Sequence, residues 1–214
     1  HPLLENKERS RIDINQVIGK NKALISVFAG SRKSEISVLM PILLDFIKLM
    51  NEKYSDMTYV FHSTKEYSKF TKSLLNQSKL TNCEIVNDDK IKSHILQKSV
   101  FAVAKSGTVS LEICNAKIPS IILYKMGFIN FLIIKSLVKT KYANVINFAA
   151  NEEVIPELLQ SKCNSKNIFK YVSYFLDDPN KMKKQVEKVQ KTLNELKTNG
   201  SSSELASLSL NKFL

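Results

Sequence analysis

Two short stretches of this chain place glycine among small hydroxyl and charged residues directly after an apolar run. Gly30-Ser31-Arg32 follows "ALISVFA", and Ser106-Gly107-Thr108 follows "VFAVA", with Glu112 one helical turn further on. The 214 residues include only five glycines, so two at equivalent places need a reason. Glycine lets a backbone turn tightly and approach a ligand closely. A helix that begins just beyond it opens with amide hydrogens lacking an intrahelical acceptor, and with the positive end of its dipole. That combination binds phosphate. Arg32 adds a planar, permanently charged fork of donors. Thr108 and Glu112 are four apart and share a helix face. A phosphate at the helix tip would leave the carboxylate about one turn, roughly 5–6 Å, below it. There its two acceptor oxygens suit the vicinal hydroxyls of a ribose. Each stretch alone is also satisfied by a capped helix: Ser31 as N-cap with Arg32 in solvent, or Glu112 near its favourable helix end. Two such stretches at strand ends of one sheet point to a nucleotide diphosphate.

Other residues offer less. Lys125 ends an apolar run and could neutralise phosphate, or simply lie exposed. Asn147 ends another run and could bridge a cleft, or form an Asx turn. His62 and His94 have no partner at metal-ligand spacing and read as structural, and His1 cannot be judged alone. Cys83, Cys114 and Cys163 stand far apart without a CxxC, which suits buried, reduced thiols of a cytosolic protein. No Ser-His-Asp or Cys-His set is identifiable.

The elements that must position these residues follow from periodicity. "ALISVFA", "MTYVFH", "CEIV", "VFAVA", "PSIILY" and, more weakly, "ANVINF" read as strands. Each precedes a stretch of helical spacing: the segment carrying Ile36 to Met50, then "KEYSKFTKSLLNQ", "IKSHILQK", "TVSLEICNA", "FINFLIIKSLV" and "EEVIPELLQ". Pro41 is expected to end a first short turn or to restart the main helix. Uniformly apolar strands suit a sheet covered on both faces, and strand–helix alternation predicts a doubly wound parallel α/β sheet. Ligands of such sheets bind beyond the carboxyl ends of the strands. After Ser165 the pattern is helical only, through "NIFKYVSYFL", "PNKMKKQVEKVQKTLNELK" and "ELASLSLNKFL", with Pro179 suited to a first helical position.

The formal net charge is +12. Such a field attracts phosphates of any kind, so a basic nucleic-acid-binding module is the main non-enzyme alternative. Against it, aromatic residues do not interleave with arginine, Trp is absent, and no nucleic-acid motif appears. No apolar run reaches the ~18 residues of a membrane span, and no signal peptide opens the sequence. "GFINFLIIKSLVKTK" is apolar with a basic end. It reads as a core helix, or as a segment on an anionic lipid surface with Lys135, Lys139 and Lys141 toward the headgroups. The start at His1, without an initiating Met, leads us to expect a fragment.

With these residues in hand, the chain resembles the lipid-A-disaccharide synthase family of glycosyltransferases. "HPLLE", "AGSRKSEI", "SGTVSLE", "YKM", "LVKTKY" and "NEEVIPELLQ" follow in the family's order and spacing. The resemblance implies a GT-B architecture of two Rossmann-like halves, of which this is the second, holding the sugar-nucleotide donor. Residues 1–20 would be an interdomain linker, 21–178 the UDP-sugar-binding domain, and 179–214 C-terminal helices that cross over or exchange in a homodimer. By the motif matches, Gly30, Ser31 and Arg32 would face the cleft. Ser106, Gly107 and Thr108 would hold the diphosphate, and Glu112 the ribose. Lys125 occupies a commonly basic position. Asn147 matches the Asn of a Pro-Asn pair in which Ile146 here replaces Pro. Asn151 stands where the family often has Gly, and Gln160 matches a family glutamine. The implied reaction joins UDP-2,3-diacylglucosamine to 2,3-diacylglucosamine 1-phosphate and releases UDP, with neither metal nor cofactor. The general base and most acceptor contacts would lie in the first half. The implied location is the cytoplasmic face of the bacterial inner membrane. A UDP-sugar 2-epimerase shares this architecture, but no cluster of catalytic acids supports it.

Overall fold

The computed structural model describes residues 23–126 and 141–198. Within them six strands form one parallel sheet: β1 Ala23–Phe28, β2 Met57–His62, β3 Cys83–Val86, β4 Phe101–Lys105, β5 Ser120–Tyr124 and β6 Glu157–Leu159. Their order is β3-β2-β1-β4-β5-β6, that of dinucleotide-binding folds. The order reverses between β1 and β4, so the loops leaving these neighbours diverge and a crevice opens between them. Register pairs Phe28 with Ala104. Gly30 and Ser106 therefore stand equally far past the paired ends of the two central strands.

The helices described are α1 Lys33–Lys53, α2 Ser68–Ser78, α3 Asp89–Lys98, α4 Val109–Asn115, α5 Val145–Ala150, α6 Ser165–Leu176 and α7 Pro179–Thr198. Both faces of the sheet are covered, as the apolar runs predict. Ile25, Val27, Tyr59 and Val103 point to one side, where α1 buries Ile36, Leu39, Leu43, Phe46, Ile47 and Met50 and α6 buries Ile168 and Val172. Each such side chain contributes about 1.5–3 kcal/mol of burial. Phe28, Ala102, Ala104 and Ile122 point to the other side, against Ile113 and Cys114 of α4, Ile146 of α5, and Val189 and Leu193 of α7. Burial pushes the Cys83 and Cys114 thiols up to about 12 and that of Cys163 up to about 11.

Three local readings need correction. Pro41 neither ends nor restarts α1, but sits inside one continuous helix. It lies on the exposed side, where water can take up the Ser37 carbonyl that proline leaves without a donor. "ANVINF" is not a strand, because the Asn144 side chain caps α5 by accepting from the Ile146 amide at 2.8 Å. The sixth strand lies instead in "EEVIPELLQ", which reads as a helix by spacing. Pro156 breaks that helix and offers its carbonyl to the Ile122 amide at 2.9 Å, leading β6 into the sheet edge. "FINFLIIKSLV", "ELASLSLNKFL" and "HPLLE" lie outside the described residues.

α7 packs on its own domain. Gln185 is buried, accepts from the Ser120 amide at 2.8 Å and donates to the Ser120 carbonyl at 3.0 Å. Gln190 donates to the Cys114 carbonyl at 2.7 Å.

Candidate functional site

A cavity of about 540 Å³ opens beyond the carboxyl ends of β1 to β4. Gly30, Ser31 and Arg32 line it from the first loop, and Ser106, Gly107, Thr108 and Glu112 from the fourth. The switch point thus brings all seven into one wall. Lys125, Asn147 and Gln160 are not part of that wall.

The two glycines serve different needs. Gly30 has a φ of +114°, and a Cβ there would stand 2.6 Å from Glu35 Oε2. Its loop is folded around the Glu35 carboxylate. Glu35 is the third residue of α1 and reaches back to accept the Ser31 amide at 3.0 Å, a variant of the capping box. The N-cap is Arg32, whose own side chain makes no cap bond, rather than Ser31. Glu35 Oε1 also pairs with Lys105 Nζ at 2.9 Å and with Arg32 Nη1 at 3.7 Å. Burial alone would raise this carboxyl, but the bonds from Lys105 and Ser31 and the charges of Lys105 and Arg32 outweigh it and hold it below its ordinary value. The Ser31 amide is therefore already engaged, and the expectation of bare amides on both loops is corrected for the first.

At Gly107 the backbone is unstrained, and a Cβ would project into open space. Among the described residues no acceptor lies on the amides of Gly107 or Thr108. Their carbonyls are used: Ser110 and Leu111 donate to Gly107 and Thr108 at 3.1 Å, drawing the start of α4 tight. The Ser106 amide is spent on the Leu123 carbonyl at 2.9 Å and its hydroxyl donates to the Ala143 carbonyl at 3.5 Å, which leaves the two following amides open on a loop that lines the cavity. Glu112 is half-exposed and pairs with Lys92 Nζ at 2.9 Å, which links α4 to α3 across the cavity.

His62, at the end of β2, lies in the cavity wall and is only 8% exposed. Ser99 Oγ donates to the Ile95 carbonyl at 3.0 Å, so Ser26 donates to Ser99 at 2.7 Å and accepts from His62 Nε2 at 2.9 Å. This relay assigns the proton to Nε2. The ring stacks on Phe28 with centroids 4.2 Å apart. Burial, and then the Lys92 charge, push the imidazole down to about 3. His62 is a neutral wall residue.

The residues away from the cavity have structural partners. Asn147 is fully buried in α5, donates to the Ile155 carbonyl at 2.6 Å and to Glu157 Oε1 at 2.7 Å, and accepts from the Ile155 amide at 2.8 Å. Lys125 Nζ donates to the Cys163 carbonyl at 3.2 Å. Gln160 Oε1 accepts from the Met126 amide at 3.2 Å. Glu35, Lys105 and Lys92 are wall residues that sequence reasoning passed over, and His62, which it read as structural, also stands in the wall. Only Glu35 carried a signal, as a carboxylate at the third position of a helix after a glycine loop.

The family model of lipid-A-disaccharide synthetase matches residues 1–211. The chain belongs to the lipid-A-disaccharide synthase family. It is 34% identical over 210 residues to the lipid-A-disaccharide synthase of Sulfurihydrogenibium sp. (strain YO3AOP1), covering 90% of this chain and 54% of that protein. It is 32% identical over 200 residues to the synthase of Rickettsia prowazekii, covering 92% and 52%. The chain thus spans about half the length of the curated relatives it matches. In structure it is similar to the C-terminal domain of a group 1 glycosyl transferase (LpcC) of Francisella tularensis, with a TM-score of 0.54 and 16% identity, covering 81% of this chain and 85% of that one. It is also similar to S. aureus MnaA in a co-structure with UDP, with a TM-score of 0.58 and 16% identity, covering 91% and 49%. These likenesses fix the fold as that of a GT-B domain. They leave lipid-A-disaccharide synthase membership to rest on the family match and the closer relatives.

Proposed function

We propose that this chain is the donor half of a lipid-A-disaccharide synthase that transfers 2,3-diacylglucosamine from UDP to 2,3-diacylglucosamine 1-phosphate and releases UDP. The observation that carries the proposal is the single cavity at the switch point, where the Gly30 and Gly107 loops and Glu112 meet. The amides of Gly107 and Thr108 and the Arg32 guanidinium hold the diphosphate through charge-assisted hydrogen bonds, joined by the Ser106 hydroxyl when it exchanges its long bond to the Ala143 carbonyl for a phosphate oxygen. Glu112, steadied by Lys92, receives the ribose hydroxyls. As the sugar–phosphate bond breaks, negative charge grows on the departing UDP, and donors already in place stabilise it without reorganising. This half supplies no base. The general base and most of the lipid acceptor site belong to the portion of the relatives that this chain does not span. Alone, the chain binds UDP weakly and does not turn over.

The lipid substrates call for a peripheral protein at the cytoplasmic face of the inner membrane. Among the described residues no helix is long and apolar enough to cross a membrane. A homodimer would form through the C-terminal helices of residues 179–214. Calorimetric titration of UDP into the chain tests the site. Saturable binding is expected, weakened about tenfold by Arg32→Ala and by Glu112→Ala, the loss of one charge-assisted bond. Absence of saturation, or variants that bind like the wild type, would reject it.

A further inference from the structure

The donor-site reading gives Arg32 a role but leaves its neighbours Glu35 and Lys105 on the cavity wall unassigned. A single carboxylate, Glu35, serves two cations, Lys105 and Arg32, as well as the Ser31 amide. The cluster therefore carries one surplus positive charge. The Arg32 side chain is 79% exposed, whereas that of Lys105 is only 21% exposed. Lys105 is the last residue of β4 and directly precedes Ser106, so its ammonium stands between the two glycine loops on the cavity wall. It spends one of three donors on Glu35 and lies 6.0 Å over the Tyr124 ring. A free surface lysine loses much rotamer entropy when it captures a ligand. Lys105 has already lost most of it, and its partial burial strengthens any charge it meets.

We infer that Lys105, aimed by Glu35, is a second cation for the diphosphate of the donor, an inference that rests on reading the cavity as a nucleotide-sugar site. The chemistry of the neighbours selects an anion there. Ammonium is a donor only, and the nearby open groups at Gly107 and Thr108 are amide donors too. The carboxylates of the cavity other than Glu35 belong to α3, to its cap and to α4, on the side left for hydroxyls. Glu35 cannot itself be displaced cheaply, since Gly30 is shaped around it. It therefore acts as a fixed counter-ion that orients Lys105 without neutralising the whole cluster.

The test compares ligands that differ in phosphate number. Affinities of uridine, UMP and UDP are measured by calorimetry for the wild type, Lys105→Met and Lys105→Arg. Lys105→Met is expected to weaken UDP about tenfold, UMP less and uridine hardly at all, so that the UDP-to-UMP preference collapses. Lys105→Arg keeps the charge and restores most of that preference. An unchanged preference in Lys105→Met overturns the inference while leaving the donor site standing. Equal losses for all three ligands mark a structural residue and also overturn it. If the wild type does not bind UDP at all, the reading of the cavity fails and the inference with it. Should Lys105→Met not fold, the wild type carries the test. Its lysines are reductively ¹³C-dimethylated, and the Lys105 signal, assigned through Lys105→Arg, must shift with UDP and not with uridine.

Discussion

At the scale of single residues, Gly30 and Gly107 separate two uses of glycine. Gly30→Ala forces a Cβ against Glu35 at a φ of +114°, so stability should fall by about 1–3 kcal/mol. UDP affinity should fall with it as the Glu35 cluster shifts. Gly107→Ala meets nothing, so its stability should stay within about 0.5 kcal/mol of the wild type. Its methyl group nevertheless projects where a diphosphate would lie, and UDP binding should weaken. Denaturation midpoints beside UDP titrations separate the cases, and a Gly107→Ala that binds UDP normally counts against the proposed pose. His62 gives a residue-scale dependence on pH. Its folded imidazole is held near 3 by burial and by Lys92, while the unfolded chain takes up the proton near 6.5. Stability is therefore full above pH 6.5 and declines as pH falls toward 3. Between pH 7 and pH 5 the loss should be about 2 kcal/mol in urea denaturation. His62→Gln should flatten that slope. The depressed Glu35 carboxyl acts only lower, through and below its ordinary 4.5, so the window isolates the histidine.

At the scale of elements, Asn147 is a joint between α5 and the entry to β6. Its amide ties α5 to the strand entry at Ile155 and to Glu157, whose carboxylate also accepts the amides of Ala143 and Asn144 at 2.8 and 2.9 Å. Asn147→Ala leaves buried groups at Ile155 and Glu157 short of partners. It should cost about 2–4 kcal/mol of stability while leaving the UDP affinity of the folded fraction unchanged. A selective loss of UDP affinity would instead return Asn147 to the cleft. This same joint is where the sequence was least readable. β1, β2, β4 and β5 were legible because apolar runs on buried inner strands announce themselves, the short edge strand β3 because Ile85 and Val86 are β-branched, and α7 because Pro179 marks its start. β6 has three residues, and its identity depends on pairing with Ile122, a contact far away in sequence. Likewise, the two glycine motifs could be seen as motifs, but the carboxylate folded under Gly30 depends on Lys105 arriving from another strand. Nothing local reports such a meeting.

At the scale of the whole molecule, charge must be reconciled with selectivity. The chain carries +12, yet the cavity wall is balanced, with Arg32, Lys65, Lys92 and Lys105 against Glu35, Asp88, Asp89 and Glu112. The surplus therefore lies elsewhere on the surface, where lysines predominate. A diffuse positive field steers any anion toward the molecule and is screened within about 10 Å at 0.1 M salt. A balanced cleft, by contrast, retains only a ligand whose phosphates, hydroxyls and base meet the right groups. Salt dependence separates the two contributions. A polyanion held by dispersed lysines displaces several counterions, so its affinity falls by orders of magnitude between about 50 and 200 mM salt. A nucleoside diphosphate seated among fixed donors should lose only a few-fold over the same range. We expect UDP to show the shallow dependence, and a single-stranded oligonucleotide to bind only at low salt without displacing UDP. If the oligonucleotide competes with UDP and both weaken with the same steep slope, the cavity is merely part of a basic surface, and the glycine loops have some other purpose than holding a nucleotide sugar.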